Sequence, residues 1–385
     1  MAVRPGKYTF PRQVAVVYGL PAAKVIASET ESLGSSRVFV IASPSVARSV
    51  LYREVMEAIG PRYAGSFRSC LPHSPREDVN RAARAARDLE ADLLIGIGGG
   101  SVIDTTKAVQ ALLRFDLASV DRLSGSETLR RQIALRRVNS IAVPTTLSGA
   151  EFTNVAGITD TARGVKEIFQ ANCLYFDSVV LDPTATIGVP DALFLASGIR
   201  AVDHCVETMC SSKPSVIGDA TAREGLSLLS RSLRRIHADP KDLDARLECQ
   251  LGTWLSITGF VGGVPVGASH GIGRVIGGAL GVLHGHTSCV LLPGVLHWNE
   301  PADDGRQAWI PEAMGDRDAR PFEAVGRLIA DLGMPLRLRQ LNVERSHFQD
   351  LAEKSLVMLA QAATSGNPRP IETVRDVMEI LELIY

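Results

Sequence analysis

The run DLLIGIGGGSVIDTTKAV at 92–109 constrains the fold of this chain more than any other. An apolar, β-branched segment meets a helical pattern across three consecutive glycines, Gly98, Gly99 and Gly100. A chain can turn that sharply from strand into helix where side chains are absent, and the same absence lets backbone amides at a helix start approach a phosphate. Ser101 adds a hydroxyl at that start. The pattern is neither GxGxxG nor the P-loop GxxxxGK[ST], so it reads either as an anion cradle or as a tight strand-to-helix connection without a ligand.

The flanking sequence repeats the alternation. VAVVYG (14–19), VFVIA (38–42), DLLIGIG (92–98) and SIAVP (140–144) read as strands, with amphipathic helices at 46–60 and 76–91 between them. Strands separated by helices predict a mostly parallel sheet. A second strand end, VPTTLSGAEFTN at 143–154, offers the hydroxyls of Thr145, Thr146, Ser148 and Thr153. Two such edges on one parallel sheet are what a dinucleotide cleft uses. Beyond about residue 185 the pattern is helical, and the join falls near LDPTATIGVPD, punctuated by two prolines and a glycine. We therefore expect an α/β domain over 1–184 and an all-helical domain over 185–385. The polar segment 299–321, rich in Pro, Gly and Asp, reads as a surface loop.

Composition removes several functional classes. The 385 residues carry a formal net charge of -1, which argues against a nucleic-acid binder. The basic-looking RAARAARDLE at 81–90 reads as a solvated helix face. Six cysteines without a CxxC pair fit reduced thiols in a cytoplasmic protein. The N-terminus lacks the apolar core of a signal peptide, and the most apolar stretch, 275–293, is interrupted by glycines and histidines, so no membrane association is expected.

SGIRAVDHCVE at 197–207 places Arg200 and His204 four residues apart on one helix face. His270 and His284 follow in glycine-rich settings, GASHGIGR and GVLHGH. On one unbroken helix their fourteen-residue separation would be about 21 Å. Gly277, Gly278 and Gly281 offer places for the chain to return. An acid and three histidines would read as a metal site, but Arg200 has no acceptor and cannot ligate a cation. A unit charge about 4 Å from a divalent ion repels it by roughly 8 kcal/mol at an effective dielectric of about 20. Asp203 points about 100° away from His204 around the helix, and Glu207 shares its face. No catalytic metal is expected.

Taken jointly, the GGGS turn with Asp104 and Lys107, PTTLSGAE (144–151), DPTAT (182–186), SGIRAVDHCVE, the two later histidines and NPRPI (367–371) resemble the iron-containing alcohol dehydrogenase family, its maleylacetate reductase branch in particular. The resemblance implies a dehydroquinate synthase-like architecture: a dinucleotide-binding N-terminal domain, a helical C-terminal domain and a homodimer, with nicotinamide meeting substrate in a cleft between the domains. It carries cofactor contact to Gly98, Gly99, Gly100, Ser101, Thr145, Thr146 and Lys166, with Ser148 on the same hydroxyl-bearing edge. Asp104 and Lys107 match as well, in a binding or a structural role. Ser43 stands where many members place an acid against the adenosine ribose, which admits NADPH beside NADH.

Metal-dependent members hold their ion with an Asp and three His. Here His204, His270 and His284 match, and Arg200 replaces the Asp. The maleylacetate reductase branch also lacks that Asp, commonly carrying Asn, and works without metal. The implied chemistry is hydride transfer between NAD(P)H and a carbonyl or enone of a small anionic substrate. Arg200 clamps a carboxylate or stabilises an oxyanion, or else pairs with Asp203 or Glu207; one of the three histidines moves the proton. Arg274, four residues after His270, is a second candidate cation. The alternatives are a metal-dependent alcohol or aldehyde dehydrogenase, a dehydroquinate synthase-type lyase using NAD transiently, and a nucleotide-binding protein with a decayed site.

Overall fold

The structure is a computed structural model that describes residues 10–123 and 136–385. Six parallel strands form the main sheet, in the order β1-β8-β5-β4-β2-β3. They are β1 (Ala15–Tyr18), β2 (Val38–Ala42), β3 (Tyr63–Phe67), β4 (Leu93–Gly98), β5 (Asn139–Pro144) and β8 (Ser178–Leu181). An antiparallel hairpin, β6 (Val155–Asp160) and β7 (Val165–Gln170), lies outside this sheet. Helices α1 (Ala22–Ser32), α2 (Val50–Ile59), α3 (Arg76–Asp88) and α4 (Gly100–Arg114) connect the strands.

Strand order places the candidate cradle. After β2 the chain moves outward to β3, then returns to the other side of β2 as β4 and continues outward to β5. Connections that diverge in this way open a crevice at the carboxyl ends of β2 and β4. Register pairs Ala42 with Ile97, and Gly98 with Pro144. Ser43, Gly99 and Thr145 therefore leave the sheet at one edge.

The strands β2, β4 and β5 are buried throughout because helices cover both of their faces. Their signal in the sequence is accordingly a continuous apolar run. β3 lacks such a run: Gly65 occupies its centre, where an added Cβ would lie 2.4 Å from Leu89 Cδ1. On α3, Ala82, Ala83 and Ala86 are buried while Arg81 and Arg84 face solvent, so this basic run is a solvated face.

The chain divides into compact units between Val189 and Pro190. From Pro190 onward the described residues contain helices and no strand. The helices that build the site are α5 (Asp191–Cys210), α8 (Ala268–Leu280) and α9 (His284–Asn299), with α6 (Val216–Ala238) and α7 (Leu243–Val261) between them in sequence. α8 ends at Gly281, whose φ of 68° closes the helix in a left-handed cap. That single glycine separates the helices carrying His270 and His284.

The segment 299–321 differs from the surface loop expected of its composition. It contains the short helix Trp309–Ala313, and Arg306 and Gln307 are buried. Arg306 Nε donates to Met209 O at 2.6 Å, and its Nη2 pairs with Asp219. Arg306 and Gln307 are internal anchors, while 301–305 are exposed. Among the described residues no helix is long and apolar enough to cross a membrane.

Candidate active site

In the α/β unit the glycine turn and the hydroxyl edge form one surface. A Cβ at Gly99 would lie 3.1 Å from Thr146 Cγ2, and one at Gly100 would lie 3.2 Å from Ser148 Oγ. Gly98 has a φ of 156°, and a Cβ there would lie 2.6 Å from Val102 Cγ2. The glycines are thus required by close approach of two loops as well as by the turn. Gly99 caps α4, so the free amides of its first turn open beside the Thr146 and Ser148 hydroxyls. Thr145 is buried, and its amide donates to Gly98 O at 3.0 Å, tying the two loops together. Such a cradle fits the pyrophosphate of a dinucleotide.

The other residues matched on this side divide by role. Ser101 Oγ accepts from the His73 amide at 2.9 Å, which anchors a neighbouring loop. Asp104 Oδ2 accepts from Gly157 N at 3.2 Å and so holds the β6–β7 hairpin. Burial pushes Asp104 up from its ordinary value, with Lys166, Lys107 and the Gly157 amide opposing. The stem of Lys166 crosses Gly157, where an added Cβ would lie 2.2 Å from its Cε.

Lys107 is fully buried and donates to Ala150 O, Thr153 Oγ1 and Val155 O at 2.5, 3.1 and 2.8 Å. It is a structural anchor for the hydroxyl edge. Burial lowers Lys107 to about 8 and raises the neighbouring Glu151 to about 7. Ser43 Oγ lies 3.0 Å from Ser45 Oγ, in the turn that leaves β2.

In the helical unit, α5, α8 and α9 build a compact charged cluster. Glu207 caps the start of α8: Oε2 accepts from Gly267 N and Oε1 from Ser269 N, both at 2.7 Å. Its Oε2 also meets His270 Nδ1 at 2.7 Å. Because that carboxylate acts as acceptor, the ring proton is assigned to Nδ1, and the lone pair to Nε2. Nε2 is buried with no hydrogen-bond partner. The rings of His270 and His204 lie 4.7 Å apart, tilted by 35°.

Asp203 is the hub, although it lies about 100° from His204 around the helix. Its Oδ2 accepts from Ser288 Oγ at 2.6 Å, Ser269 Oγ at 2.9 Å and Arg200 Nη1 at 3.4 Å. His270 Nδ1 lies 3.5 Å away. Burial raises the Asp203 carboxyl, but His270, Arg200 and Ser288 outweigh it and hold the group below its ordinary value. Serines preceding His270 and four residues after His284 were the missed signal: each brings a hydroxyl from a different helix onto one carboxylate.

Arg200 therefore pairs with Asp203, and Ser288 accepts a second bond from the same Nη1 at 3.0 Å. Its remaining guanidinium N–H groups make no bond among the described residues. Burial lowers Arg200, with Asp203 and Glu207 opposing. His204 is pushed well below its ordinary value by burial, then by His270, Arg200 and Arg274. His204 is thereby held neutral.

The three histidines are not gathered as one ligand set. Among the described residues the group whose ligand atoms lie within 4.8 Å of one another is Asp203, Glu207 and His270. Those atoms are committed to amides, serine hydroxyls, Arg200 and each other, and a guanidinium sits where an incoming cation would be repelled. That group is therefore not free to hold a divalent ion. His284 packs instead against Gly277, where an added Cβ would meet its Nδ1 at 3.1 Å.

Comparison with known proteins agrees along the whole chain. A family model described as iron-containing alcohol dehydrogenase matches residues 13–183, and the C-terminal model of the Fe-containing alcohol dehydrogenase family matches 194–385. The chain is 32% identical over 412 residues to Dehydrogenase FUM7 of Gibberella moniliformis, covering 96% of this chain and 95% of that protein. It is 29% identical to a maleylacetate reductase of Pseudomonas sp. (strain P51), covering 94% and 93%. The crystal structure of maleylacetate reductase from Rhizobium sp. strain MTP-10005 matches with a TM-score of 0.83 at 27% identity, covering 100% of this chain and 99% of that one.

Proposed function

The chain belongs to the iron-containing alcohol dehydrogenase family, and on that premise we propose that it is a metal-independent reductase of small anionic carbonyl compounds or enones. It is an NAD(P)-dependent oxidoreductase with the dehydroquinate synthase-like fold of that family. The observation that carries metal independence is the pairing of Arg200 with Asp203 and Ser288 inside the cluster. A homodimer working in the cytoplasm belongs to the same reading.

Bound nicotinamide supplies the hydride; the chain supplies anchoring, charge and a proton. Gly98–Gly100 and the start of α4 hold the pyrophosphate, with Thr146 and Ser148 beside it. Arg200 is fixed at one nitrogen, so its remaining donors present a pre-oriented positive charge to the oxygen that becomes an alkoxide. In its doubly protonated form His270 delivers the proton from Nε2 and returns to the neutral ring with the lone pair there; Glu207 and Asp203 flank Nδ1 and stabilise the doubly protonated form. His204, held neutral, packs against that ring and excludes water from it. Ser43 leaves no acid at the β2 end to repel a 2'-phosphate, so both NADH and NADPH are accepted.

The test is oxidation of NADH and NADPH against oxo acids, enones and neutral aldehydes, with and without EDTA, on protein assayed for bound metals. Turnover indifferent to chelator is expected. Stoichiometric zinc or iron, with activity lost on chelation, would overturn metal independence. Cofactor binding without net turnover of any carbonyl would point to the lyase.

A further inference from the structure

We propose that Arg274 anchors the carboxylate of the substrate and so makes the enzyme selective for short oxo acids over neutral aldehydes of the same length. This deepens the reductase reading and rests on it. Arg274 lies on α8 four residues after His270, one turn along the same face, a rise of about 6 Å. Its charge reaches the cluster, where it helps lower His204 and is itself acted on by Arg200 and Glu207.

Four other arginines withdrawn from solvent among the described residues have found partners. Arg76 pairs with Asp121, Asp160 and Glu167, Arg114 with Asp177, Arg306 with Asp219, and Arg246 donates to Pro240 O. Arg274 is the exception, with no hydrogen bond or ion pair among the described residues. Burial, and next the charge of Arg200, lower it to about 10, with Glu207 opposing.

A buried cation held next to the charge of a second one is costly without a counter-ion. The two carboxylates of the cluster cannot serve as that counter-ion, because Asp203 is held by Arg200 and two serines and Glu207 by two amides and His270. A ligand carboxylate can, because a guanidinium fork takes it through two parallel bonds. The two arginines then divide the substrate's charges: Arg200 meets the nascent alkoxide, and Arg274 the carboxylate. The carboxylate is a bystander in the reaction, in which NAD(P)H gives a hydride to the carbonyl carbon and His270 gives a proton to its oxygen.

The test compares succinic semialdehyde with butanal, which differ by the carboxylate, in the full-length enzyme and its R274M and R274K variants. The expected result is a preference of kcat/KM for the acid that falls about a hundredfold in R274M, chiefly through KM, with part of it regained in R274K. Equal loss on both substrates, or an unchanged ratio, overturns the proposal. Succinate binding by calorimetry decides the question independently of turnover: wild type should bind it at least tenfold more tightly than R274M. Equal affinities would overturn the anchor even where neither aldehyde is reduced, whereas a clear difference without turnover would sink the reductase reading and leave the anion site standing.

Discussion

The two candidate functional regions are built on opposite principles. In the α/β unit the cradle works through what is missing: three glycines clear a surface so that backbone amides and two hydroxyls can face a phosphate. In the helical unit the cluster works through what is crowded together, since Asp203, Glu207, Arg200, Arg274 and His270 each set the charge environment of another. The cradle comes from neighbouring strand ends, while Asp203 and its partner Ser288 lie 85 residues apart in sequence. A cavity for an anion can be made by deletion of side chains, but a poised proton donor needs its neighbours placed individually.

The sharpest way to separate the two regions is His270→Ala. Removing a positioned proton donor should lower kcat by about 10²–10⁴-fold in steady-state assays, while the affinity for NADPH measured by fluorescence stays within about twofold. Loss of cofactor affinity together with turnover would show that the two regions are not separable in this way.

Asp203→Asn comes next. It leaves Arg200 and the Ser269 and Ser288 hydroxyls around an uncharged side chain, and removal of one partner from a buried pair costs about 3–5 kcal/mol. Urea unfolding should report that loss, and a second change, Arg200→Met, should recover part of it. A single variant as stable as wild type would show that the pair is dispensable to the cluster.

In the cradle, Gly98→Ala should cost about 1–3 kcal/mol, because the new Cβ meets Val102 at 2.6 Å in a backbone conformation that side chains avoid. Cofactor affinity should fall at least about tenfold with it. Retained affinity would show that the turn tolerates a side chain.

An effect spread over pH concerns Glu151, beside the hydroxyl edge. Burial raises it from 4.5 to about 7, so between those pH values the folded state holds a proton that the unfolded state has released. Its contribution to stability is present below about pH 4.5 and is lost as pH rises toward 7. Glu151→Gln should remove that downward slope, an effect of about 3 kcal/mol in unfolding free energy across that range. An unchanged slope would assign it elsewhere.

Legibility in the sequence followed the same division. Strands β2, β4 and β5 and the glycine turn were readable because their side-chain patterns are local consequences of burial on both faces. The hairpin β6–β7 was not, since β7 is largely exposed and carries polar residues, and neither was β3, whose Gly65 makes room for Leu89. In the cluster, Arg200, His270 and Glu207 stood out by residue type and spacing. Asp203 did not, because helix geometry describes only its own face and says nothing of Ser269 and Ser288 arriving from other helices.

By itself, then, the sequence determined a parallel sheet with a side-chain-free turn at its edge, a helical second half, and at residue 200 a cation that cannot ligate a metal. These follow from local chemistry: glycine's lack of a side chain, hydrophobic periodicity, and the permanent charge of a guanidinium. Only the tertiary structure decided which acid neutralises Arg200, which histidine has a carboxylate behind it, and which arginine is left without a partner. Those outcomes depend on how three helices meet, and buried charges take their properties from neighbours that are distant in the chain.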